Sequence, residues 1–251
     1  MDELEGRAAL VTGASRGIGT AIAKAYASRG MRVGIGYSRD EEGARSTLAA
    51  LEGDGHAILQ ADVADPAAVR QMVDLAVRQL GRLDVLVNNA GMYEYQPFFM
   101  ESYEEWQASW RRTLDTNLMS AANATWCALR HFRSQGGGKV INVASRAAFR
   151  GETEAPAYAA SKAGMVLLTR CIGRALPTDN VYAYCIAPGW VETAMAREGM
   201  ETMREEIVGQ IPFGRIATVE DVAGVSLFLA SDAANYLTGI TIDVNGASYL
   251  H

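Results

Sequence analysis

The chain has 251 residues, 49% of them apolar, and a net charge of −6. That length suffices for one α/β domain with a full core, and the acidic balance excludes a general binder of nucleic acid or of anionic membranes. No run of about 18 uninterrupted apolar residues is present, so no membrane span is expected. The acidic start, Met1-Asp2-Glu3-Leu4-Glu5, lacks the basic opening of a secretory signal, and a cytoplasmic enzyme is expected. Cys127, Cys171 and Cys185 are odd in number and far apart, and His56, His131 and His251 are scattered. Neither a disulfide framework, nor a metal site, nor a histidine-based triad is expected.

Short apolar runs alternate with longer amphipathic segments, without linker or repeat, so residues 1–251 read as a single domain. Residues 7–12 read as a strand and 17–29 as a helix. The Thr12-Gly13-Ala14-Ser15-Arg16-Gly17-Ile18-Gly19 run joins them. Glycines at such a strand–helix junction permit a tight turn and close approach of a pyrophosphate, with the helix N-terminus supplying amides and a positive partial charge. A second strand, 31–37, ends in Ser38-Arg39, with no carboxylate until Asp40. A carboxylate there would bind a free ribose 2′-hydroxyl, whereas basic residues suit a 2′-phosphate. With Arg16 on the same side, this corner favours NADP (NADPH) over NAD.

A helix follows at 41–52 and a third strand at 56–61, after which Asp62-Val63 stands where a carboxylate can accept from an adenine amino group. The helix at 66–80 has Pro66 in its first turn and Asp65 as N-cap. A fourth strand, 84–87, runs into Asn88-Asn89-Ala90-Gly91, where small residues let the backbone pass a ribose. Asn88 is expected to tie strand ends together, and Asn89, Ala90 and Gly91 to lie at the cofactor. Residues 102–132 read as a long helical region closed by Gly136-Gly137-Gly138, and 139–144 as a fifth strand ending near Ser145. A helix over 156–175 carries Tyr158 and Lys162, one turn apart on one face. A phenol has a pKa of about 10, and an adjacent ammonium lowers it toward a useful range. Only 3 of the 23 basic residues are lysines, so Lys162 stands out. A sixth strand at 181–186, a helix at 219–230 and a last strand at 240–244 complete the pattern. Such alternation predicts an α/β fold: a doubly wound, seven-stranded parallel sheet with helices on both faces, binding ligands at the carboxyl ends of its strands.

These motifs, together with Asn117, Pro188-Gly189-Trp190-Val191-Glu192-Thr193 and the 214–223 and 237–246 segments, resemble the short-chain dehydrogenase/reductase family over nearly the whole length, most closely its bacterial 3-oxoacyl-[acyl-carrier-protein] reductases. The resemblance implies a single-domain Rossmann fold. It implies that Tyr158 is the general acid or base, that Lys162 lowers its pKa and holds the nicotinamide ribose, and that Ser145 binds the substrate oxygen. Asn117 would anchor a water near Lys162 for proton relay. Pro188, Gly189, the Val191 backbone and Thr193 would meet the nicotinamide carboxamide.

The expected activity is NADP(H)-dependent reduction of a small-molecule ketone or oxidation of a secondary alcohol. Reduction of 3-oxoacyl groups on an acyl carrier protein is the alternative. Gly136 and Asp179 stand where those relatives place basic docking residues, which disfavours an acidic carrier, although Arg130, Arg133 and Arg174 could form a basic patch. The intact Tyr158–Lys162 pair argues against a non-catalytic dinucleotide binder. The aromatic segment from Met92 to Met100, with Trp106 and Trp110, suits an apolar substrate pocket. Ala194, Met195 and Met200 would close over it. Glu152 and Glu154 read as solvated loop carboxylates. Leu114, Leu118, Ala121, Trp126 and Leu129 exceed the needs of one core face, and a homotetramer or homodimer is expected.

Overall fold

The short apolar runs become seven strands: β1 (Ala8–Val11), β2 (Arg32–Tyr37), β3 (Ala57–Gln60), β4 (Val85–Asn88), β5 (Gly138–Val143), β6 (Val181–Pro188) and β7 (Thr241–Val244). The computed structural model describes residues 2–193 and 203–250. The strands form one sheet in the order β3-β2-β1-β4-β5-β6-β7, every pairing parallel. Adjacent residues of a strand face opposite sides, and each side is covered. Val11, Val87, Ile141 and Ile186 pack with Ile22 and Tyr26 of α1 (Gly17–Ala27) and with Val222 and Leu229 of α9 (Val219–Ala230). Leu10, Leu86, Val140 and Ala183 pack instead with Val69 and Val73 of α3 (Pro66–Leu80) and with Ala124 and Ala128 of α5 (Ser120–Gln135). The strands are therefore apolar on both faces, as a sheet between two helical layers requires.

The chain steps outward from β1 to β2 and β3, then returns to place β4 on the other side of β1. The reversal opens a crevice at the carboxyl ends of β1 and β4, where an open α/β sheet binds its ligands. Helix starts follow local chemistry. Asp65 caps α3 by accepting from the Ala67 amide at 2.8 Å, with Pro66 in the first turn. Asp40 caps α2 (Glu41–Ala49) by accepting from the Gly43 amide at 2.9 Å. Thr218 and Asp221 form a reciprocal capping box at the start of α9.

The region expected as one helix over 102–132 is continuous but not uniform. It comprises α4 (Tyr103–Leu114), a π-helical turn (Asp115–Met119) and α5, closed by Gly136 in the left-handed conformation at φ 92°. The single turn α6 (Ala147–Arg150) lies between β5 and α7 (Pro156–Ala175) and is too short to carry a periodic signature. Residues 203–209 are helical, here α8. Ala194, Met195 and Met200, the expected lid residues, lie outside the described residues. Among the described residues no helix is long and apolar enough to cross a membrane. Tyr184 is fully buried in the core on β6.

Candidate active site

Four elements converge at the carboxyl end of the sheet. The turn after β1 is locked to the end of β4 by Thr12, whose Oγ1 accepts from the Asn89 and Ala90 amides, both at 3.0 Å, and donates to the Val87 carbonyl at 3.3 Å. The Asn89 side chain returns the link, donating to the Thr12 and Gly13 carbonyls at 2.9 and 3.0 Å. Asn89 therefore ties the glycine turn to the end of β4. Asn88 is structural as expected: its amide donates to Asn142 at 2.8 Å and Thr125 at 3.2 Å inside the core.

Two glycines of the turn are sterically fixed. Gly13 takes φ 64°, and a β-carbon there would stand 2.9 Å from Ala90 Cα. A β-carbon on Gly19 would come within 2.4 Å of the Gly13 carbonyl oxygen, closer than real side chains allow. This bare backbone at the start of α1 suits a pyrophosphate. Ser15, Arg16, Gly17 and Thr193 line a cleft of about 730 Å³ that runs along α1 to Lys24. Ile18 and Val63 are half-buried and pack against the two halves of the core. The cleft borders the turn and does not reach Tyr158, so the reacting groups are located by side-chain geometry.

At the end of β2, Ser38 and Arg39 are exposed, as is Arg16 across the turn. Among the described residues neither guanidinium has a salt-bridge partner within 4.0 Å. Asp40, the first carboxylate after that strand, is engaged in capping α2. Asp62 is exposed and accepts from the Ala64 amide at 3.0 Å. The segment after β6 folds back toward the turn. Gly189 donates to the Val244 carbonyl at 3.0 Å, Val191 bridges to Ala217, and the Thr193 methyl would lie 3.5 Å from a β-carbon on Gly17.

Tyr158 and Lys162 project from one face of α7, with the ammonium 5.7 Å from the phenol ring centroid. Lys162 is buried, donates to the Val143 carbonyl at 2.8 Å, and has its pKa brought down to about 8 by burial, with Cys185 acting in the other direction. Burial pushes the Tyr158 phenol above its ordinary value, a hydrogen bond with Ser145 draws it back, and the Glu152 carboxylate pushes it further up. The net shift of the phenol is upward. The lysine points its charge at Val143, and desolvation dominates. Ser145 sits just past β5, its hydroxyl also accepting from the Ala147 amide at 3.1 Å in the first turn of α6.

Asn117 lies in the π turn, fully buried, and its amide is engaged three times. It accepts from the Met92 amide at 2.8 Å and donates to the Met92 carbonyl and to Ser161 Oγ, both at 3.0 Å. Ser161 in turn donates to the Tyr158 carbonyl at 2.7 Å. The Asn117 side chain is therefore taken up by positioning bonds. A β-carbon on Gly91 would stand 3.3 Å from Asn117 Oδ1 and 3.4 Å from Lys162 Nζ, so these three residues meet.

Sequence reasoning missed Ser161 and the buried Gln96, which holds the Met92–Met100 segment by donating to Thr113 at 2.7 Å and accepting from the Ala157 amide at 3.3 Å. The aromatic segment divides. Tyr93 packs edge-on against Tyr158 at 5.2 Å, while Phe99 is 97% exposed. Trp106 and Trp110 pack on each other at 5.2 Å on α4. Glu152 is half-buried and acts on both Tyr158 and Tyr93, so it is part of the site and not merely a solvated carboxylate. Glu154 is exposed, as expected.

A family model described as enoyl-(acyl carrier protein) reductase matches residues 13–247. The 3-oxoacyl-[acyl-carrier-protein] reductase FabG of Escherichia coli K12 is 35% identical over 246 residues, covering 98% of both chains. The FabG of Staphylococcus aureus Mu50 is 36% identical, covering 97% of this chain and 98% of its own. A crystal structure from Sinorhizobium meliloti 1021, described as a short-chain alcohol dehydrogenase, superposes with a TM-score of 0.90 at 36% identity, covering 98% of both chains.

Proposed function

Given that this chain belongs to the short-chain dehydrogenase/reductase family, oxidoreductases acting on CH–OH groups, we propose that it is an NADP(H)-dependent reductase of a small free ketone, with Tyr158 as proton donor. The observation that carries the reading is the convergence of Ser145, Tyr158 and Lys162 beside a glycine turn that excludes β-carbons. The turn, with Ser15, Arg16, Gly17 and the start of α1, would hold the pyrophosphate. Ser38, Arg39 and Arg16 would receive the 2′-phosphate, Asp62 and Val63 the adenine, and Ala90 and Gly91 the ribose. Pro188, Gly189, Val191 and Thr193 would orient the nicotinamide, which supplies the hydride when bound.

Ser145 donates to the substrate carbonyl oxygen and stabilises the charge that develops on it. Tyr158, kept protonated by burial, gives its proton to that oxygen. Lys162 holds a positive charge beneath the phenol, countering the phenolate left behind. Asn117 fixes Met92 and Ser161, and so the wall and the helix turn on which Tyr158 stands. A phenol held above its ordinary pKa is present at neutral pH in the protonated form from which reduction starts.

Reduction of 3-oxoacyl groups on an acyl carrier protein is the second reading, and the similarity to FabG favours it. The free ketone ranks above it because Gly136 and Asp179 offer an acidic carrier no cation, while Arg130 lies 5.4 Å over the Trp126 ring. Met119, Trp126 and Leu167 on the π turn, α5 and α7 are exposed, and such apolar exposure supports a homodimer or homotetramer; a cytoplasmic setting is part of the same reading. A carbonyl panel with NADPH oxidation followed optically tests the assignment. It comprises an aryl ketone, a short aliphatic ketone, an acetoacetyl thioester and an acetoacetyl group on acyl carrier protein. Turnover of free ketones supports the first reading, and turnover of the carrier-bound group alone replaces it with the second.

A further inference from the structure

Arg146 follows Ser145 directly and is 6% exposed. Its guanidinium donates to Ser248 Oγ at 2.9 Å and lies 5.8 Å over the Trp190 ring, at the first position after Pro188-Gly189. Among the described residues no carboxylate lies within 4.0 Å of it. The charges that act on it are those of Arg150 and Glu152, which face each other at 3.9 Å. Glu152 also acts on Tyr158 and Tyr93, so the guanidinium, the phenol and the edge-on tyrosine share one neighbourhood.

Burying a guanidinium is costly unless its donors meet an anion, and a hydroxyl offsets little of that cost. A planar fork with five donors matches a carboxylate in bidentate fashion. A strut to the C-terminal segment would need no charge, since a neutral side chain could reach Ser248. We propose that Arg146 selects substrates bearing a free carboxylate close to the reacting carbonyl, a short oxo acid in the reducing direction and the matching hydroxy acid in the other. Ser145 would hold the reacting oxygen while its neighbour holds the acid, and the faces of Trp190 and Tyr93 would border the short carbon chain. This inference rests on the reductase reading and narrows its substrate class.

The test pairs each acid with its uncharged twin: 2-oxobutanoate and 3-oxobutanoate, each beside its methyl ester, with NADPH. In the wild type kcat/KM for one of the acids exceeds that of its ester at least tenfold. Arg146→Met lowers the acid-to-ester ratio by about 100-fold, chiefly through KM, as expected for removing one partner of a buried charge pair. Arg146→Lys restores part of the ratio. Arg146→Gln, which keeps length and a donor, serves if the methionine variant does not fold. An unchanged ratio in the variants, or an ester preferred by the wild type, overturns the proposal. If no ketone in either this set or the panel above is turned over, the reductase reading fails. Calorimetry of 3-oxobutanoate and 2-oxobutanoate with NADP⁺ present then reads the site alone: binding lost in Arg146→Met and partly kept in Arg146→Lys supports the acid site, and equal or absent binding in all three overturns it.

Discussion

Asn117 holds the backbone of Met92 at both polar groups, accepting from its amide at 2.8 Å and donating to its carbonyl at 3.0 Å. The π turn makes this possible by rotating one residue of a long helix out of register, so that a buried amide faces the segment after β4 and the Ser161 hydroxyl of α7 at once. Asn117→Ala would leave two main-chain groups of Met92 and one hydroxyl without their partner, at a cost of about 1–3 kcal/mol per buried group left unsatisfied. The variant is expected to melt several degrees lower and to lose more than tenfold in kcat while its NADPH affinity changes little. A stable variant with the wild-type rate would contradict the positioning role.

The pH profile follows from the two shifted groups on α7. Burial places Lys162 at about 8 and holds the Tyr158 phenol above its ordinary value. Ketone reduction should therefore stay level through neutral pH and decline as pH rises through about 8, where the ammonium is lost. Alcohol oxidation, which needs the phenolate, should climb with alkalinity instead. A reductive profile that rises steadily from pH 7 to 10 would count against these protonation states.

Lys139 gives a stability signature at the opposite end of the sheet. It is buried at the start of β5, donates to the Ser231 carbonyl, faces Asp232 at 3.4 Å, and is pushed down by burial to about 8. Between about 8 and its ordinary 10.5 the unfolded chain holds a proton that the folded chain has released, so unfolding free energy rises with pH in that window. Cys185 and Cys127, raised by burial from 9.0, oppose this as pH passes about 9, and Tyr26 does so as pH passes its ordinary 10.0. Urea midpoints measured from pH 8 to 9 should rise in the wild type and rise less in Lys139→Met, with Lys162 supplying the remainder. Parallel curves for the two proteins would show that the lysine is not buried as described.

Most of the scaffold was legible in the sequence because its signals are local. Pro66 after Asp65, the glycine run after 7–12 and the two-sided apolar strands each fix their element without outside help. The seven strands and the helices expected at 66–80, 156–175 and 219–230 match β1 to β7, α3, α7 and α9. The site was legible as a set of residues and less so as a set of bonds. That Asn89 points back at Thr12 and Gly13, that Asn117 is taken up by Met92 and Ser161, and that Lys162 turns to Val143 all depend on contacts between distant segments. The balance at Tyr158 depends on such contacts too: one turn of helix predicts a nearby charge, but not how deeply the phenol is desolvated. Arg146 left no periodic signal, because α6 is a single turn.

The corner beyond β2 sets the cofactor prediction. Ser38, Arg39 and Arg16 are exposed, while Asp40 is bonded to the Gly43 amide. NADPH should be used at least ~10-fold more efficiently than NADH, as two guanidiniums on a phosphate warrant. Arg39→Glu should bring the ratio of kcat/KM values to or below unity, chiefly through KM for NADPH. Equal efficiency with both dinucleotides in the wild type would remove the 2′-phosphate from this corner.

The proton carried by Tyr158 is tested most directly by Tyr158→Phe in single-turnover assays with a ketone that the wild type reduces, alongside NADPH titration by fluorescence. Ring packing against Tyr93 and the helix are unaffected by losing one oxygen, so cofactor affinity should stay within about threefold, as for a near-isosteric buried change. Hydride transfer should fall by at least ~1,000-fold, within the range general acid catalysis provides. A phenylalanine variant that binds NADPH normally and keeps a tenth of the wild-type rate would contradict the account.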